Sequence, residues 1–236
     1  MNIFLAGATG VIGRRLVPLL RDAGHTVTGT SRSAEKASAL GVLGAHGVVV
    51  DVYDARALLK AMSAAYPDVV IHQLTDLPRS LDGARPTEFV ANARLRIEGT
   101  KNLIAAAQVG GVGRVLAQSI AFAYRAGPGP RVETNPLDTD GARAATVGAV
   151  VSLEDQVLNT PGIDGVVLRY GRLYGPGTWY AGASGPGALH VDAAAHAALL
   201  AVTKGQGIYN IAEDDGAVSS EKAKRELGFE AGFRLR

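Results

Sequence analysis

The chain has 236 residues, 47% of them hydrophobic, and its 24 basic and 22 acidic side chains leave a formal net charge of +2. This composition excludes an intrinsically disordered chain, and a net charge so near zero provides no basic surface for nucleic acid or an acidic membrane. Because the chain has no cysteine, disulfides, a thiolate nucleophile and a cysteine-ligated metal are excluded as well.

Short apolar segments rich in β-branched residues recur along the chain and predict seven strands. They lie at residues 3–6, 26–30, 47–50, 69–71, 114–118, 165–168 and 207–211. The predicted helices between them lie at residues 11–23, 34–40, 55–65, 87–109, 147–158 and 192–203. Strands that are apolar on both faces and alternate with helices are typical of βαβ units. We therefore expect an α/β fold with a Rossmann-type, doubly wound parallel sheet.

Two segments interrupt this alternation, residues 126–143 and 175–189, and their content of Gly, Pro, Asp and Thr predicts loops. Each follows the carboxyl end of a strand, which is the edge where open α/β sheets bind ligands. No linker divides the chain, so residues 1–236 are expected to form a single domain. A small lid and a reduced carboxyl-terminal substrate lobe are expected from residues 175–191 and 212–236.

A glycine-rich turn follows the first strand, with the sequence Gly7-Ala-Thr-Gly10-Val-Ile-Gly13. Gly7 permits a sharp turn, Gly10 lets the backbone approach a pyrophosphate, and Gly13 lets the next helix pack on the strand. The free N–H groups and positive dipole end of that helix then face the phosphates. The turn therefore predicts a dinucleotide site, and the alternative is a glycine turn packed for structure only. The predicted contacts are Gly7, Thr9, Gly10, Val11, Ile12 and Gly13.

Motifs farther along the chain agree with this turn. They are Asp51-Val52, His72-Gln73-Leu74-Thr75, Gly99-Thr100-Lys101-Asn102-Leu103, Leu168-Arg169-Tyr170, Tyr174-Gly175-Pro176-Gly177, His190-Val191-Asp192 and Glu226-Leu227-Gly228-Phe229. Together with the turn, they resemble the NAD-dependent epimerase/dehydratase family, an extended and atypical branch of the short-chain dehydrogenase/reductase superfamily. The resemblance covers nearly the whole chain. It implies that Asp51 and Val52 contact the adenine and that His72, Gln73, Leu74 and Ser119 line the nicotinamide half.

The end of the second strand bears on the choice between NAD and NADP. NAD-preferring sites place an acid there, whereas an Arg accommodates a 2′-phosphate. Here the segment is Ser31-Arg32-Ser33, and the first acid is Glu35. A guanidinium pairs with phosphate in a bidentate manner. We expect NADP, with NAD as the alternative if Arg32 is only a solvated loop residue.

The resemblance also exposes a departure in the catalytic residues. Family enzymes use a Ser or Thr, a Tyr, and a Lys four residues after the Tyr, whose charge depresses the pKa of the Tyr. Registered on Glu154, this chain has Thr146 in the Tyr position and Val150 in the Lys position. No Tyr or Lys occurs between Leu137 and Val167. The usual proton relay is therefore missing.

The remaining catalytic candidates follow from position. If Tyr124 is aligned with the Tyr of the family motif, the position of the catalytic hydroxyl falls on Ile120. An alignment shifted by one residue would place Ser119 at that position instead. Tyr124 and Tyr174 lie beyond strand ends and are the candidate proton donors, although a Tyr packed under a loop is the common alternative. Arg172 stands where sugar-nucleotide enzymes often have a substrate-contacting Asn, and we expect it to hold a substrate anion. Arg96 stands where the family often has an Asn in the long helix.

These features predict an NAD(P)-dependent oxidoreductase or epimerase/dehydratase-like protein. It would act by hydride transfer on a small carbonyl or sugar-derived substrate through a non-standard site. The alternative is a catalytically silent, NADP-binding regulator that senses redox state.

No metal site is expected, because the acids of the loop at 126–143 lack His neighbours at ligand spacing. A homodimer through the helices at 87–109 and 147–158 is expected by analogy only.

The cellular location is predicted from what the sequence lacks. No apolar run reaches the length of about 20 residues that a membrane helix needs. The amino-terminal segment enters a glycine turn by Gly7 instead of continuing as the apolar core of a signal peptide. We therefore expect a cytoplasmic protein.

Overall fold

Nine strands and eight α-helices form along residues 1–78, 80 and 85–235, which are the residues that the computed structural model describes. The strands are β1 (Asn2–Ala6), β2 (Thr26–Ser31), β3 (His46–Val49), β4 (Val69–His72), β5 (Arg114–Ile120), β6 (Asp164–Tyr170), β7 (Arg172–Tyr174), β8 (Ala188–His190) and β9 (Gly207–Ile211). The helices are α1 (Gly13–Asp22), α2 (Ala34–Ala39), α3 (Ala55–Ala65), α4 (Val90–Arg94), α5 (Thr100–Val109), α6 (Ala144–Leu158), α7 (Val191–Ala201) and α8 (Glu221–Leu227).

Seven of these strands form one sheet in the order β3-β2-β1-β4-β5-β6-β9. Every neighbouring pair in it is parallel. The chain starts at β1, moves outward through β2 to β3, and returns to β4 on the other side of β1. At such a reversal the loops after adjacent strands diverge and leave a crevice at the carboxyl edge of the sheet. The predicted α/β fold of Rossmann type is confirmed.

The central strands are apolar on both faces because helices cover both sides of the sheet. Ile3 and Leu5 of β1 pack in one cluster with Leu16 of α1. Phe4, which points to the opposite face, packs in a second cluster with Met62 of α3. Residues two apart share a face of a strand, so β1 contributes to two separate core layers. These layers hold the carboxyl ends of the strands in a fixed relation to one another.

The helix predicted at residues 87–109 is interrupted. A 3₁₀ turn (Pro86–Phe89) precedes α4, and a π-helical turn (Leu95–Gly99) separates α4 from α5. Such a turn adds one residue to a helical turn and changes which side chains face a neighbouring helix, and it is frequent at functional sites. A periodicity pattern does not reveal a single inserted residue, so sequence reasoning missed it. No helix among the described residues has the length and apolarity that crossing a bilayer requires.

Three elements of the carboxyl-terminal half were not predicted. β7 and β8 form a separate two-stranded parallel sheet, and α8 lies within the segment 212–236. Each of the two strands has only three residues, too few to display a two-residue period. In α8 only Ala223 and Leu227 are buried, so the apolar stripe is narrow. The lid function of residues 175–191 and 212–236 stays a prediction.

One carboxylate joins the first helix to the carboxyl-terminal region. The Arg15 side chain of α1 donates from Nε to Oδ1 of Asp192 at 2.7 Å and from Nη2 to the carbonyl oxygen of Pro176 at 2.6 Å. The other carboxylate oxygen of Asp192 accepts the backbone N–H of Leu235 at 3.2 Å. Asp192 at the start of α7 therefore ties α1 to the segment that ends at residue 235.

Candidate functional site

The glycine turn after β1 has two glycines that the fold requires and one that it does not. Gly7 has a φ of +89°, and a Cβ there would lie 2.7 Å from the carbonyl carbon of Gln73. A Cβ on Gly13 would overlap the carbonyl oxygen of Gly7. A Cβ on Gly10 would meet only that same oxygen, at 3.2 Å. The need for glycine at position 10 is therefore much weaker in the protein alone, and Gly10 lines the adjacent cleft.

A cleft of about 440 Å³ opens beside this turn at the carboxyl edge of the sheet. It lies at the switch point between β1 and β4, where open α/β sheets bind ligands. Eight of the predicted cofactor residues line it: Gly7, Thr9, Gly10, Arg32, Asp51, Val52, Gln73 and Leu74. Five others do not: Val11, Ile12, Gly13, His72 and Ser119. The side chains of Ile12 and His72 are buried, so these two residues could contact a ligand only through their backbone atoms.

Gln73 brings an unsatisfied acceptor to the wall of the cleft. Its side chain is 6% exposed, and Nε2 donates to the Tyr170 hydroxyl at 3.1 Å. Oε1 is buried and has no hydrogen-bond partner among the described residues. A buried acceptor without a partner is unfavourable, so Oε1 is suited to accept from a ligand donor such as a hydroxyl or an amide. The ribose hydroxyls and carboxamide of a nicotinamide dinucleotide are donors of this kind.

His72 is fixed as a neutral imidazole beneath the cleft. Its Nδ1 accepts the backbone N–H of Leu74 at 3.2 Å, and Nε2 lies 3.1 Å from Oγ1 of Thr100. Because Nδ1 is an acceptor, the proton is on Nε2, which donates to Thr100. Burial, aided by the nearby charge of Arg96, lowers the pKa of His72 to about 4. His72 therefore supports the cleft wall, and its contact with a cofactor stays a prediction.

The end of the cleft beside β2 is polar and cationic. Ser31, Arg32, Ser33 and Lys36 line it. Arg32 forms a long ion pair with Asp76, at 3.8 Å, and the Arg32 side chain is largely exposed. Sequence reasoning predicted Arg32 but missed Lys36. The signal for Lys36 was its place one turn into α2, which begins directly after the Ser31–Ser33 segment.

Ser119 belongs to a buried polar cluster. Its hydroxyl donates to Oε1 of Glu154 at 2.6 Å. Arg169 donates to the same carboxylate from Nε at 2.9 Å and from Nη2 at 2.6 Å. All three residues are at least nine-tenths buried. The Ser119 hydroxyl is therefore committed to Glu154.

The two predicted tyrosine proton donors also have engaged hydroxyls. Tyr124 is buried, donates to Oδ1 of Asn210 at 2.6 Å and accepts from Nη1 of Arg169 at 2.8 Å. Burial raises the pKa of Tyr124. Tyr174 donates to Glu213 at 2.6 Å, and burial and this carboxylate raise the pKa of Tyr174. These contacts favour structural roles, and proton donation by either residue stays a prediction.

The helix that would carry the family's relay supplies none. In α6, Thr146 is half-buried and Val150 is fully buried. The segment 144–158 contains neither Tyr nor Lys. Without a Tyr and Lys, α6 does not provide the pair with which the family is expected to protonate an alkoxide.

Arg96, unlike the buried Arg169, has no hydrogen-bond partner among the described residues. It lies in the π-helical turn, is 8% exposed, and makes no hydrogen bond or ion pair with any residue of the described ranges. Burial lowers the pKa of Arg96 to about 10, and the charge of Glu154 opposes this shift. The sequence identified Arg96 only as a departure from the family pattern.

Arg172, the predicted substrate contact, is exposed and does not line the cleft. Its guanidinium is 5.0 Å from the centre of the Phe122 ring, and Nε donates to the carbonyl oxygen of Pro186 at 3.3 Å. Arg143 donates to the carbonyl oxygen of Phe122 at 2.8 Å. Neither arginine pairs with a carboxylate in the part of the chain that the structure describes. Phe122, just beyond the end of β5, thus has one arginine over its ring and another at its backbone carbonyl.

Comparison with known proteins agrees with this geometry. The model of the NAD dependent epimerase/dehydratase family matches residues 3–185. A 3-diazoavenalumate denitrifying reductase from a Streptomyces species is 43% identical over 246 residues, a match covering 94% of this chain and 79% of that protein.

Solved structures share the fold at lower identity. The UDP-glucose 4-epimerase of Thermotoga maritima has a TM-score of 0.81 at 21% identity, with 100% of this chain and 95% of that chain covered. That of Thermus thermophilus, in complex with NAD, has a TM-score of 0.78 at 19% identity over the same shares of the two chains. The family and the reductase relative support an NAD-dependent oxidoreductase-like activity. The chain belongs to the NAD-dependent epimerase/dehydratase family.

Proposed function

We propose that this protein is an NADP-dependent reductase that replaces the diazo group of an aromatic carboxylate with hydrogen and releases dinitrogen. The observation that carries the proposal is the missing proton relay, since Thr146 and Val150 occupy the positions of the family's Tyr and Lys. The relative that is 43% identical is named for denitrifying reduction of a diazo carboxylate. The missing relay and the relative's name point to the same kind of reaction.

The chemistry of a diazonium group removes the need for a proton donor. When bound, the reduced nicotinamide supplies a hydride, so that R–N₂⁺ becomes R–H while N₂ leaves with the electrons of the carbon–nitrogen bond. Reduction of a carbonyl or a keto sugar instead leaves an alkoxide that an acid must protonate. Because alkyl diazonium ions lose dinitrogen in water unaided, an enzyme substrate of this class is aromatic. The site has only to bind, orient and shield its ligands.

The residues of the cleft fit a phosphorylated dinucleotide. The turn from Gly7 to Gly13 would hold the pyrophosphate against the start of α1. Gln73 would accept a ribose hydroxyl at its unpartnered Oε1. Arg32 and Lys36 would pair with the 2′-phosphate, since both line the end of the cleft beside β2. NADP is therefore our proposed cofactor, and NAD is the alternative.

The other predicted site residues have supporting roles in this proposal. Ser119 and Arg169 hold Glu154 in one orientation, and Tyr124 holds Arg169. None of them has to transfer a proton. Arg172, beside the Phe122 ring, would attract an anionic aromatic substrate.

The test uses a carboxybenzenediazonium salt as substrate and NADPH deuterated at the nicotinamide C4. We expect consumption of NADPH, release of dinitrogen and one deuterium in the benzoate product, above a protein-free control. Turnover on aldehydes, ketones or UDP-glucose without deuterated benzoate would contradict the proposal. Tight NADPH binding without turnover of any of these substrates would favour the second candidate, a redox-sensing regulator, which the missing relay also supports.

A homodimer also remains a proposal. Val90, Ile97 and Val151 are exposed apolar side chains on the helices that were expected to form the interface. Burial of such side chains favours association. Sedimentation equilibrium of the wild type and of Val151→Glu tests it. A wild type that is monomeric at micromolar concentration would contradict the dimer.

A further inference from the structure

The π-helical turn holds a largely buried arginine that has no counter-charge among the described residues. Its first residue, Leu95, lines the cleft, and the turn packs against α6. Arg96, the next residue, is 8% exposed and has no hydrogen-bond or ion-pair partner within residues 1–78, 80 and 85–235. Arg169 is buried to a similar degree, but Glu154 and Tyr124 satisfy it. Of these two buried arginines, Arg96 is therefore the one whose burial is not explained by hydrogen bonds to the described residues.

The carboxylate whose charge acts on Arg96 already has other hydrogen-bond partners. Glu154 is close enough for its charge to act on Arg96. Its Oε1 already accepts from Ser119 and Arg169, and its Oε2 accepts from Arg169. His72, on which Arg96 also acts, is a neutral imidazole. The cluster therefore carries two positive charges and one negative charge.

A charge that is as little exposed as that of Arg96 is stabilised by an ion of opposite sign. A guanidinium whose donors are unused forms its strongest hydrogen bonds with a carboxylate or a phosphate. The π-helical turn and the fully buried Val150 of α6 lie on the same side of the sheet. Arg96 therefore provides a cation from the π-helical turn, whereas α6 has Val150 in the position of the family's Lys.

We propose that Arg96 binds the carboxylate of the substrate and so determines specificity for anionic aromatic compounds. This rests on the proposed function, which supplies the carboxylate. The exposed Arg172 attracts the anion, whereas Arg96 holds it at the buried end of the site. Arg96 is in this view a specificity-determining residue and transfers no proton.

The first test measures binding without turnover. Benzoate and its uncharged counterpart benzamide are titrated calorimetrically into NADP⁺-saturated wild type, Arg96→Met, Arg96→Lys and Arg96→Gln. Arg21→Gln, at the far end of α1, is the matched control for loss of one arginine. We expect Arg96→Met and Arg96→Gln to weaken benzoate binding about tenfold or more and to leave benzamide and NADP⁺ binding unchanged. Arg96→Lys should retain part of the preference for benzoate over benzamide.

The second test is independent of any substrate. Because Arg96 has no partner to lose, Arg96→Met should melt at the same temperature as the wild type or higher, whereas loss of a structural ion pair would lower it. A lower melting temperature for both Arg96→Met and Arg96→Lys would overturn the inference. So would equal loss of benzoate, benzamide and NADP⁺ binding, which would assign Arg96 to the cofactor.

The two proposals fail separately. If the wild type does not reduce diazonium carboxylates but binds benzoate through Arg96, the proposed reaction is wrong and the anion site stands. If it does reduce them and Arg96→Met keeps the wild-type KM for a diazonium carboxylate, the reaction stands and the assignment of Arg96 is wrong.

Discussion

Arg169 binds both carboxylate oxygens of Glu154, at 2.9 and 2.6 Å, and both side chains are more than nine-tenths buried. The pair joins β6 to α6, the helix that packs against both β5 and β6. Ser119 and Tyr124 add hydrogen bonds from β5 and from the segment that follows it. The carboxyl edge of the sheet is thus held by a buried polar cluster that includes a residue of α6, the helix on which the family resemblance predicts a proton relay.

Removing one member of this pair should be strongly destabilising. Arg169→Met leaves the Glu154 carboxylate buried with only the Ser119 hydroxyl, and we expect a loss of about 3–5 kcal/mol in the free energy of unfolding. The double variant Arg169→Met, Glu154→Gln should recover part of that loss, since no unpaired charge remains. Urea unfolding followed by circular dichroism measures both. Equal stability of the single and double variants would contradict a charge-based explanation.

The free energy of unfolding should decrease as the pH is lowered, because His72 is buried in its neutral form. Burial, and to a lesser extent the charge of Arg96, lowers the pKa of His72 to about 4 from 6.5. Between these values the unfolded chain takes up a proton that the folded chain does not, so the stability present above pH 6.5 is lost as the pH falls towards 4. The loss amounts to about 3 kcal/mol.

The control for this pH dependence is His72→Gln. Burial also lowers the pKa values of His25, His190 and His196, so the wild-type profile sums several groups. The contribution of His72 is the difference between the wild-type and His72→Gln profiles of unfolding free energy from pH 7 to pH 4. Parallel profiles would show that His72 takes up no proton on unfolding.

Substitutions of two glycines in the turn should have different effects, one on stability and the other on NADPH binding. Gly13→Ala forces a Cβ onto the carbonyl oxygen of Gly7, and we expect a loss of about 3 kcal/mol in stability. Gly10→Ala meets the same oxygen at 3.2 Å, so its stability should stay within about 1 kcal/mol of the wild type. Its Cβ occupies the place where a pyrophosphate would approach the backbone. Calorimetric titration should therefore show weaker NADPH binding by folded Gly10→Ala, and unchanged affinity would place the pyrophosphate elsewhere.

The cationic end of the cleft should select the 2′-phosphate. Arg32→Gln removes a charge-assisted contact, and we expect NADPH affinity to fall about tenfold to a hundredfold while NADH affinity changes little. Lys36→Gln should act in the same direction with a smaller effect, because an ammonium does not pair with phosphate in a bidentate manner. Equal effects on both coenzymes would show that Arg32 does not read the 2′ position.

The sequence predicted the layered fold because buried parallel strands carry an unmistakable apolar pattern. The helix Ala55–Ala65 and the strand Gly207–Ile211 have the predicted bounds. The turn glycines predicted the cleft, because Gly7 and Gly13 are required by backbone contacts that no side chain can replace. Local patterns were sufficient wherever the structure depends on neighbours in sequence.

The environment of Arg96 could not be predicted in this way. Arg96 has no partner in the described part of the chain, because Ser119 and Arg169, which come from two different strands, occupy Glu154. The π-helical turn that sets the position of Arg96 leaves no mark in the periodicity. Such features depend on contacts between residues that are far apart in the sequence.

The Asp192 carboxylate has a consequence for interpreting variants of this protein. It anchors Arg15 on the helix that opens at the glycine turn, and it also fastens Leu235. Asp192 does not line the cleft, yet replacing it frees α1 at one side. A coenzyme-affinity defect in an Asp192→Asn variant would therefore report a displaced scaffold, and mutational scans of this fold should separate such remote anchors from true ligand contacts.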